Sequence, residues 1–246
     1  MASSDSDAAF QQQLQELQKF TACDVSDALL RVQTTPSGTL PRAGFLADIL
    51  PITPNARKIV APASTLKYIS KLPSDALPTP APLPEGHPSA VPKDKHWVDM
   101  TPAGTIVVIE SPANAHAASI GGLMSKRMAY NGVLGCVVSG RFRDLAEQRT
   151  SGIEIWAAGR SSVATGAEAK VWGRDCEVEV AGVKIKPGDV VVADGSEGCV
   201  VVVPRELLGS VLEVIGGLVE ADDKVMEALG KGMTVKEAFA RFRGGQ

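Results

Sequence analysis

The sequence predicts an α/β fold arranged as one domain spanning residues 1–246, and three observations carry that expectation. Residues 105–110 (TIVVIE) and 133–139 (VLGCVVS) are short apolar runs rich in β-branched residues, and a helical stretch from about Leu123 to Tyr130 lies between them. Strand, helix and strand with short joints make a βαβ unit. The composition is 44% hydrophobic but only 4% aromatic, which gives a 246-residue chain ample material for a core of Val, Ala, Leu and Ile. No internal repeat or linker divides the chain.

The remaining elements follow from periodicity and punctuation. In residues 10–20 (FQQQLQELQKF), Phe10, Leu14, Leu17 and Phe20 recur three or four apart and line one face of a helix. A second helix is expected over Val25–Val32, with Asp24 or Ser26 as its cap. Residues 58–63 (KIVAPA) are strand-like. Seven prolines then crowd residues 73–92, which predicts a surface insertion over 71–97, since proline neither continues a helix nor donates to a sheet. Further strand-like runs lie at 153–158, 176–184, 189–193 and 199–203, separated by turn signals such as Lys186-Pro187-Gly188-Asp189. Beyond Pro204 the chain is helical up to the stop at Gly230 and Gly232, and a last helix covers Val235–Phe242.

Composition excludes several classes of function. Lys plus Arg number 25 against 28 Asp plus Glu, a formal net charge of −3, which leaves no basic surplus for a phosphate backbone and predicts no nucleic-acid partner. Met1–Ala9 is acidic and polar, unlike a secretory or transit signal, and no run approaches the roughly 18 apolar residues of a membrane span. A cytoplasmic protein without membrane contact is expected. Cys23, Cys136, Cys176 and Cys199 form no Cys-x-x-Cys pair and three lie in apolar runs, so they are expected to be reduced and structural. There is no Walker loop, no Gly-x-Ser-x-Gly elbow and no Gly-x-Gly-x-x-Gly after a strand.

The residues that can carry chemistry lie around the βαβ unit. Gly121-Gly122-Leu123-Met124 stands at a loop-to-helix junction, where glycines let the backbone approach a ligand and free N–H groups attract an anion; a tight turn explains the same residues. After the next strand comes Arg143-Asp144-Leu145-Ala146-Glu147. Asp144 and Glu147, three apart, can share a divalent cation or its waters, or can form a capping box. Arg143 is either half of a structural salt bridge or a planar fork on a substrate carboxylate or keto oxygen. His87, His96 and His116 have no partner at zinc spacing and are expected to be ordinary loop residues, with His116 alone near enough to be a minor substrate contact. Lys126 is expected to be solvated, not a Schiff-base lysine.

Together these residues resemble the RraA-like family, which joins 4-hydroxy-4-methyl-2-oxoglutarate aldolases, oxaloacetate decarboxylases and the regulator of ribonuclease activity A. The family motif is an acidic residue, twenty intervening residues, Arg-Asp, two residues, and Glu or Asp. Here Gly122 precedes residues 123–142 and then Arg143-Asp144-Leu145-Ala146-Glu147, so the spacing and second half match while the acidic residue is replaced by glycine. The resemblance extends to Asp24-Val25-Ser26-Asp27-Ala28-Leu29, to 132–140 and to 186–194.

What the resemblance implies is a swivelling β/β/α sandwich with flanking N- and C-terminal helices, assembled as a homotrimer or homohexamer with sites between subunits. It implies a class II pyruvate aldolase or decarboxylase that uses Mg²⁺ or Mn²⁺ on small 2-oxo acids. Asp144 would ligate the metal and Arg143 would hold the keto oxygen. The N–H groups of Gly122, Leu123 and Met124, beside Gly121, would bind the carboxylate, and Glu147 would take part of the role of the missing acidic residue. Asp222 or Asp223 of a neighbouring subunit would add a further carboxylate. Two alternatives stay open: a non-catalytic interaction protein, and a relative acting on a larger or more apolar oxo acid with the proline-rich insertion shaping the entrance.

Overall fold

The computed structural model describes residues 2–53, 56–71 and 79–244. In chain order the elements are α1 (Ala2–Leu17), α2 (Ala22–Val32), β1 (Leu50–Pro51), β2 (Ile59–Ser70), β3 (Ile106–Glu110), β4 (Ala118–Ile120), α3 (Gly122–Tyr130), β5 (Gly135–Phe142), α4 (Leu145–Arg149), β6 (Glu154–Arg160), β7 (Ala169–Arg174), β8 (Val178–Val180), β9 (Val183–Ile185), β10 (Val190–Asp194), β11 (Cys199–Val203), α5 (Leu208–Gly230) and α6 (Val235–Phe242).

A nine-stranded sheet runs β1-β6-β5-β3-β2-β10-β11, with β4 added to β5 and β7 to β2. β3, β5 and β6 pair in parallel, and α3 is the crossover between β3 and β5, as the βαβ pattern predicts. β2 is long enough to serve two parts of the sheet. Its start pairs antiparallel with β10, its middle pairs parallel with β3, and its end pairs antiparallel with β7.

The layers follow from side-chain alternation, because successive strand residues point to opposite faces. Val190, Val192, Val201 and Val203 pack against α1, α2 and α5, whereas Val191, Ala193, Val200 and Val202 face the inner core. In the parallel part, Ile106, Val108, Val137 and Trp156 join that inner core, while Val107, Ile109, Cys136 and Val138 face the layer that contains Met128 of α3. Two sheet layers with helices outside them give the expected sandwich with its flanking terminal helices.

Several boundaries differ from expectation for identifiable reasons. α2 begins at Ala22, and its cap is Thr21 rather than Asp24 or Ser26: the Thr21 side chain accepts from the Asp24 N–H at 3.1 Å, and the Asp24 carboxylate accepts from the Thr21 N–H at 2.8 Å. α1 starts at Ala2 and stops at Leu17, burying Phe10, Leu14 and Leu17. The single run expected over 176–184 is a hairpin, because Ala181 and Gly182 both adopt positive φ (50° and 76°) and reverse the chain between β8 and β9. β4 and β7 were not expected. Of the cysteines, all free, only Cys136 is fully buried; Cys23 is exposed, and burial together with Glu197 pushes its thiol up to about 11.

Part of the proline-rich stretch, residues 72–78, lies outside the described residues; residues 79–96 contain neither helix nor strand. They are pinned across β7 by the Trp172 indole N–H donating to the Ala81 carbonyl (2.8 Å) and the Arg174 N–H donating to the Ser89 carbonyl (2.8 Å). Among the described residues no helix is long and apolar enough to cross a membrane.

Candidate active site

β5 ends by delivering Arg143 and Asp144 beside the start of α3. β4 makes this possible: it pairs with the end of β5 (Ala118 with Arg141, Ile120 with Phe142), and the Arg143 N–H donates to the Ile120 carbonyl at 3.1 Å. Gly121, Leu123, Met124, Arg143 and Asp144 thereby line one cavity of about 380 Å³.

Asp144 sits in the left-handed region (φ 63°, ψ 54°) at the start of α4, and its side chain does not cap that helix. Its Oδ2 instead accepts from the Gly122 N–H at 3.0 Å and lies 3.6 Å from Arg143 Nε. The capping-box alternative for Asp144 and Glu147 is therefore not what the chain adopts. Arg143 and Asp144 side chains are each 37% exposed, so their mutual attraction contributes at most about 1 kcal/mol and both remain open to a ligand.

The glycine pair is required by close approach, not by a turn of unusual φ. Gly121 is extended (φ −137°), and a Cβ there would lie 2.6 Å from Asp144 Oδ2 and 3.1 Å from Arg143 Nε. A Cβ on Gly122 would lie 2.6 Å from the Glu147 Cβ. The stem of Glu147 thus occupies the space that an acidic side chain at 122 would need. The Glu147 carboxylate is on the exposed face of α4, outside the cavity lining.

Of the N–H groups expected to receive a carboxylate, that of Gly122 already serves Asp144, and that of Met124 turns back to the Gly121 carbonyl at 3.1 Å. The Leu123 N–H belongs to the first turn of α3, whose donors have no partner within the helix. Arg143 is held from behind by Gln148, fully buried, whose Nε2 donates to the Arg143 carbonyl at 3.1 Å while its Oε1 accepts from the buried Ser125 hydroxyl of α3. Sequence reasoning missed Gln148, although a glutamine one residue beyond the motif at a core-facing helical position was a readable signal.

The other cavity walls come from elsewhere. Tyr68, near the end of β2, is in the lining, and burial pushes its phenol well up, so it stays a neutral hydroxyl. His96 and Trp97 enter from the end of the proline-rich stretch, and Lys170 from β7. His116, the histidine expected near the substrate, is outside the lining: its N–H donates to Glu168 at 2.8 Å. Lys126 is outside it as well.

Asp222 and Asp223 lie on α5, away from this cavity in the same chain. Asp222 is ion-paired with Arg243 at the end of α6, whereas Asp223 is exposed and has no ion pair or side-chain hydrogen bond among the described residues.

The donor set limits which metal fits. Among the described residues no three His, Cys, Asp or Glu side chains gather as a metal cage. Among these residues the cavity lining presents a single carboxylate, Asp144. Such a set fits Mg²⁺ or Mn²⁺, oxygen-seeking ions; Mg²⁺ in particular retains waters and takes only one or two protein carboxylates.

The fold and this cavity define a β/β/α sandwich protein with a carboxylate and a guanidinium just beyond the end of the parallel strand β5. The chain matches the RraA-like family, described as Aldolase/RraA, over residues 22–201 and belongs to that family. It is 23% identical to the protein DlpA of Legionella pneumophila over 227 residues, covering 92% of this chain but 33% of the relative, so the chain spans about a third of that protein's length. An uncharacterized protein from Pseudomonas syringae superposes with a TM-score of 0.70 at 23% identity, covering 93% of this chain and 96% of that one. RraAS2 of Streptomyces coelicolor, an unusual member of the RNase ES inhibitor RraA family, superposes with a TM-score of 0.68 at 21% identity, covering 86% of this chain and 95% of that one. These likenesses carry the fold.

Proposed function

We propose that the protein is a divalent-metal-dependent carbon–carbon lyase that cleaves 4-hydroxy-4-methyl-2-oxoglutarate-type aldols and decarboxylates oxaloacetate, releasing pyruvate. The observation that carries this reading is the Asp144 carboxylate, held by the Gly122 N–H in a left-handed backbone beside Arg143 and on the wall of the cavity. A carboxylate that served only as a helix cap would not be arranged in this way.

Asp144 would hold Mg²⁺ or Mn²⁺, which when bound supplies Lewis-acid stabilisation of negative charge on the 2-oxo acid's oxygens. Breaking the bond beyond the carbon next to the ketone sends its electron pair onto that carbon and into the keto oxygen. Arg143 donates to this oxygen as charge develops, and the pair with Asp144 keeps the guanidinium in place. The Leu123 N–H and the positive end of α3 receive the substrate carboxylate. In the aldol reaction the hydroxyl proton passes to water as its carbon becomes a carbonyl, and Glu147, whose carboxylate lies outside the cavity lining, bears on that proton through water alone. Oxaloacetate needs no such base, because CO₂ departs directly. The enolate then gains a proton at carbon to give pyruvate.

In this reading the protein acts as a homotrimer or homohexamer, and a neighbouring subunit supplies a further carboxylate. Asp223, which has no ion pair among the described residues, suits that role better than Asp222, which Arg243 already occupies. Gly122, which stands where the family motif has an acidic residue, and the sparse donor set among the described residues favour a second reading, a non-catalytic interaction protein that keeps the fold. Pyruvate release from both substrates with Mg²⁺, Mn²⁺ or chelator separates the two. Metal-dependent release supports the lyase; silence in every condition supports the interaction protein.

A further inference from the structure

Release of pyruvate needs a proton at the enolate carbon, and the groups that line the cavity differ in whether they have one to give. Asp144, read as the metal-holding carboxylate, has none, and a guanidinium such as that of Arg143 does not part with its own. The Ser119 hydroxyl pairs with Ser111 at 2.6 Å, and Thr165 donates to the Ala118 carbonyl at 2.5 Å. His96 and Lys170 are exposed, so water competes with them as a source. Tyr68 differs. Its side chain is buried and yet belongs to the lining. The β2–β7 register slips between Lys67 and Tyr68, with Trp172 the extra residue of β7, and a bulge of this kind re-aims the side chains beside it. The Tyr68 phenol oxygen accepts from the Trp97 indole N–H. An indole N–H only donates, so the phenol's own proton is left over, and no side chain or carbonyl takes it among the described residues.

We propose that Tyr68 is a catalytic residue whose hydroxyl delivers the proton that turns the enolate carbon into the methyl group of pyruvate. This rests on the lyase reading of Arg143 and Asp144. The Tyr68 O–H bond breaks as the new C–H bond forms, the enolate's electron pair enters that bond, and the ketone is restored. Burial keeps the phenol protonated until the enolate appears, which is what a donor requires. The phenolate left behind keeps the Trp97 N–H, and the charged lining groups, Arg143, Lys170 and Asp144, leave one positive charge in excess to stabilise it. It regains its proton from water. The arrangement explains why Trp97, carried by the end of the proline-rich stretch, is buried against the same cavity.

The test follows the methyl protons of pyruvate by NMR in deuterium oxide with Mg²⁺, because the group that delivers the proton also removes it in reverse. Intact wild type, Tyr68→Phe and Trp97→Phe are compared, with thermal melting as the check on folding and oxaloacetate consumption measured separately. Wild type is expected to exchange the methyl protons for deuterium, and Tyr68→Phe to slow that exchange about 100-fold. Oxaloacetate consumption is expected to fall far less, since CO₂ departs before the carbon is protonated. Trp97→Phe keeps the phenol but removes the N–H that holds the phenolate, and is expected to slow exchange roughly tenfold. Exchange at the wild-type rate in Tyr68→Phe, equal falls in exchange and consumption, or no exchange by wild type overturns the proposal. If Tyr68→Phe melts below the assay temperature, Trp97→Phe decides, and unslowed exchange there overturns it. Tyr68-dependent exchange without oxaloacetate consumption keeps the proton donor and removes the lyase reading, whereas consumption with exchange independent of Tyr68 does the reverse.

Discussion

Asp144 Oδ2 accepts from the Gly122 N–H at 3.0 Å, joining the start of α3 to the end of β5 across 22 residues of sequence. The bond takes the carboxylate away from the helix it precedes and holds it at the cavity wall. It also explains both glycines, since any side chain at 121 or 122 would collide with the residues that Asp144 brings with it.

Asp144→Asn is therefore the informative variant at this position. Asn tolerates the left-handed backbone that Ala does not and keeps an oxygen to accept from Gly122. Thermal unfolding is expected to shift little, while metal-dependent pyruvate release falls by at least about 100-fold, beyond the 10- to 100-fold typical of losing an outer partner of a metal site. Parallel melting and turnover measurements check this, and near-normal turnover would refute the assignment.

Restoring the motif's acidic residue should do harm. Gly122→Asp and Gly122→Ala both place a Cβ 2.6 Å from the Glu147 Cβ, an overpacking that typically costs about 1–3 kcal/mol. Both are expected to melt lower than wild type, and Gly122→Asp is expected to show no gain in pyruvate release. A more active Gly122→Asp protein would show that the space is available after all.

Gln148 positions Arg143 without touching the cavity. Gln148→Leu leaves the buried Ser125 hydroxyl and the Arg143 carbonyl without their partner, a loss of about 1–3 kcal/mol, or several degrees in melting temperature. Turnover per folded molecule is expected to fall through kcat with KM little changed, because Arg143 acts on charge that appears as the bond breaks. An unchanged kcat would mean that Arg143 is held without Gln148.

Acid stability should report on Asp194. Burial alone would raise its carboxyl, but the Ser196 hydroxyl, the N–H groups of Ala22 and Ser196 and the Lys58 ammonium outweigh it and leave it below its ordinary value of 3.8. A depressed folded-state value means that the stabilisation is complete above 3.8 and is lost as pH falls through that value towards the folded one. Denaturant midpoints between pH 6 and pH 3 are expected to fall less steeply for Asp194→Asn than for wild type. Parallel slopes would contradict this.

The parallel strands were readable because strands buried on both faces are continuous apolar runs, as in residues 106–109 and 135–138. β7 was not, since Lys170 and Arg174 interrupt its apolar pattern, and β4 has only three residues. The same limit applies to the cavity. The spacing of Gly121, Gly122, Arg143 and Asp144 marks one side because a single βαβ crossover joins them. Tyr68, His96, Trp97 and Lys170 arrive through the long pairing of β2 with β7 and through a proline-rich stretch, neither of which leaves a local pattern. The spacing of Asp144 and Glu147 suited a helix cap equally well, and only the Gly122 hydrogen bond separates the alternatives.

Titration calorimetry of Mn²⁺ and Mg²⁺ into wild type and Asp144→Asn tests the proposed chemistry most directly. The account predicts saturable uptake of one ion per chain by wild type and its loss in the variant. No uptake at millimolar metal, or equal uptake by both proteins, would contradict it.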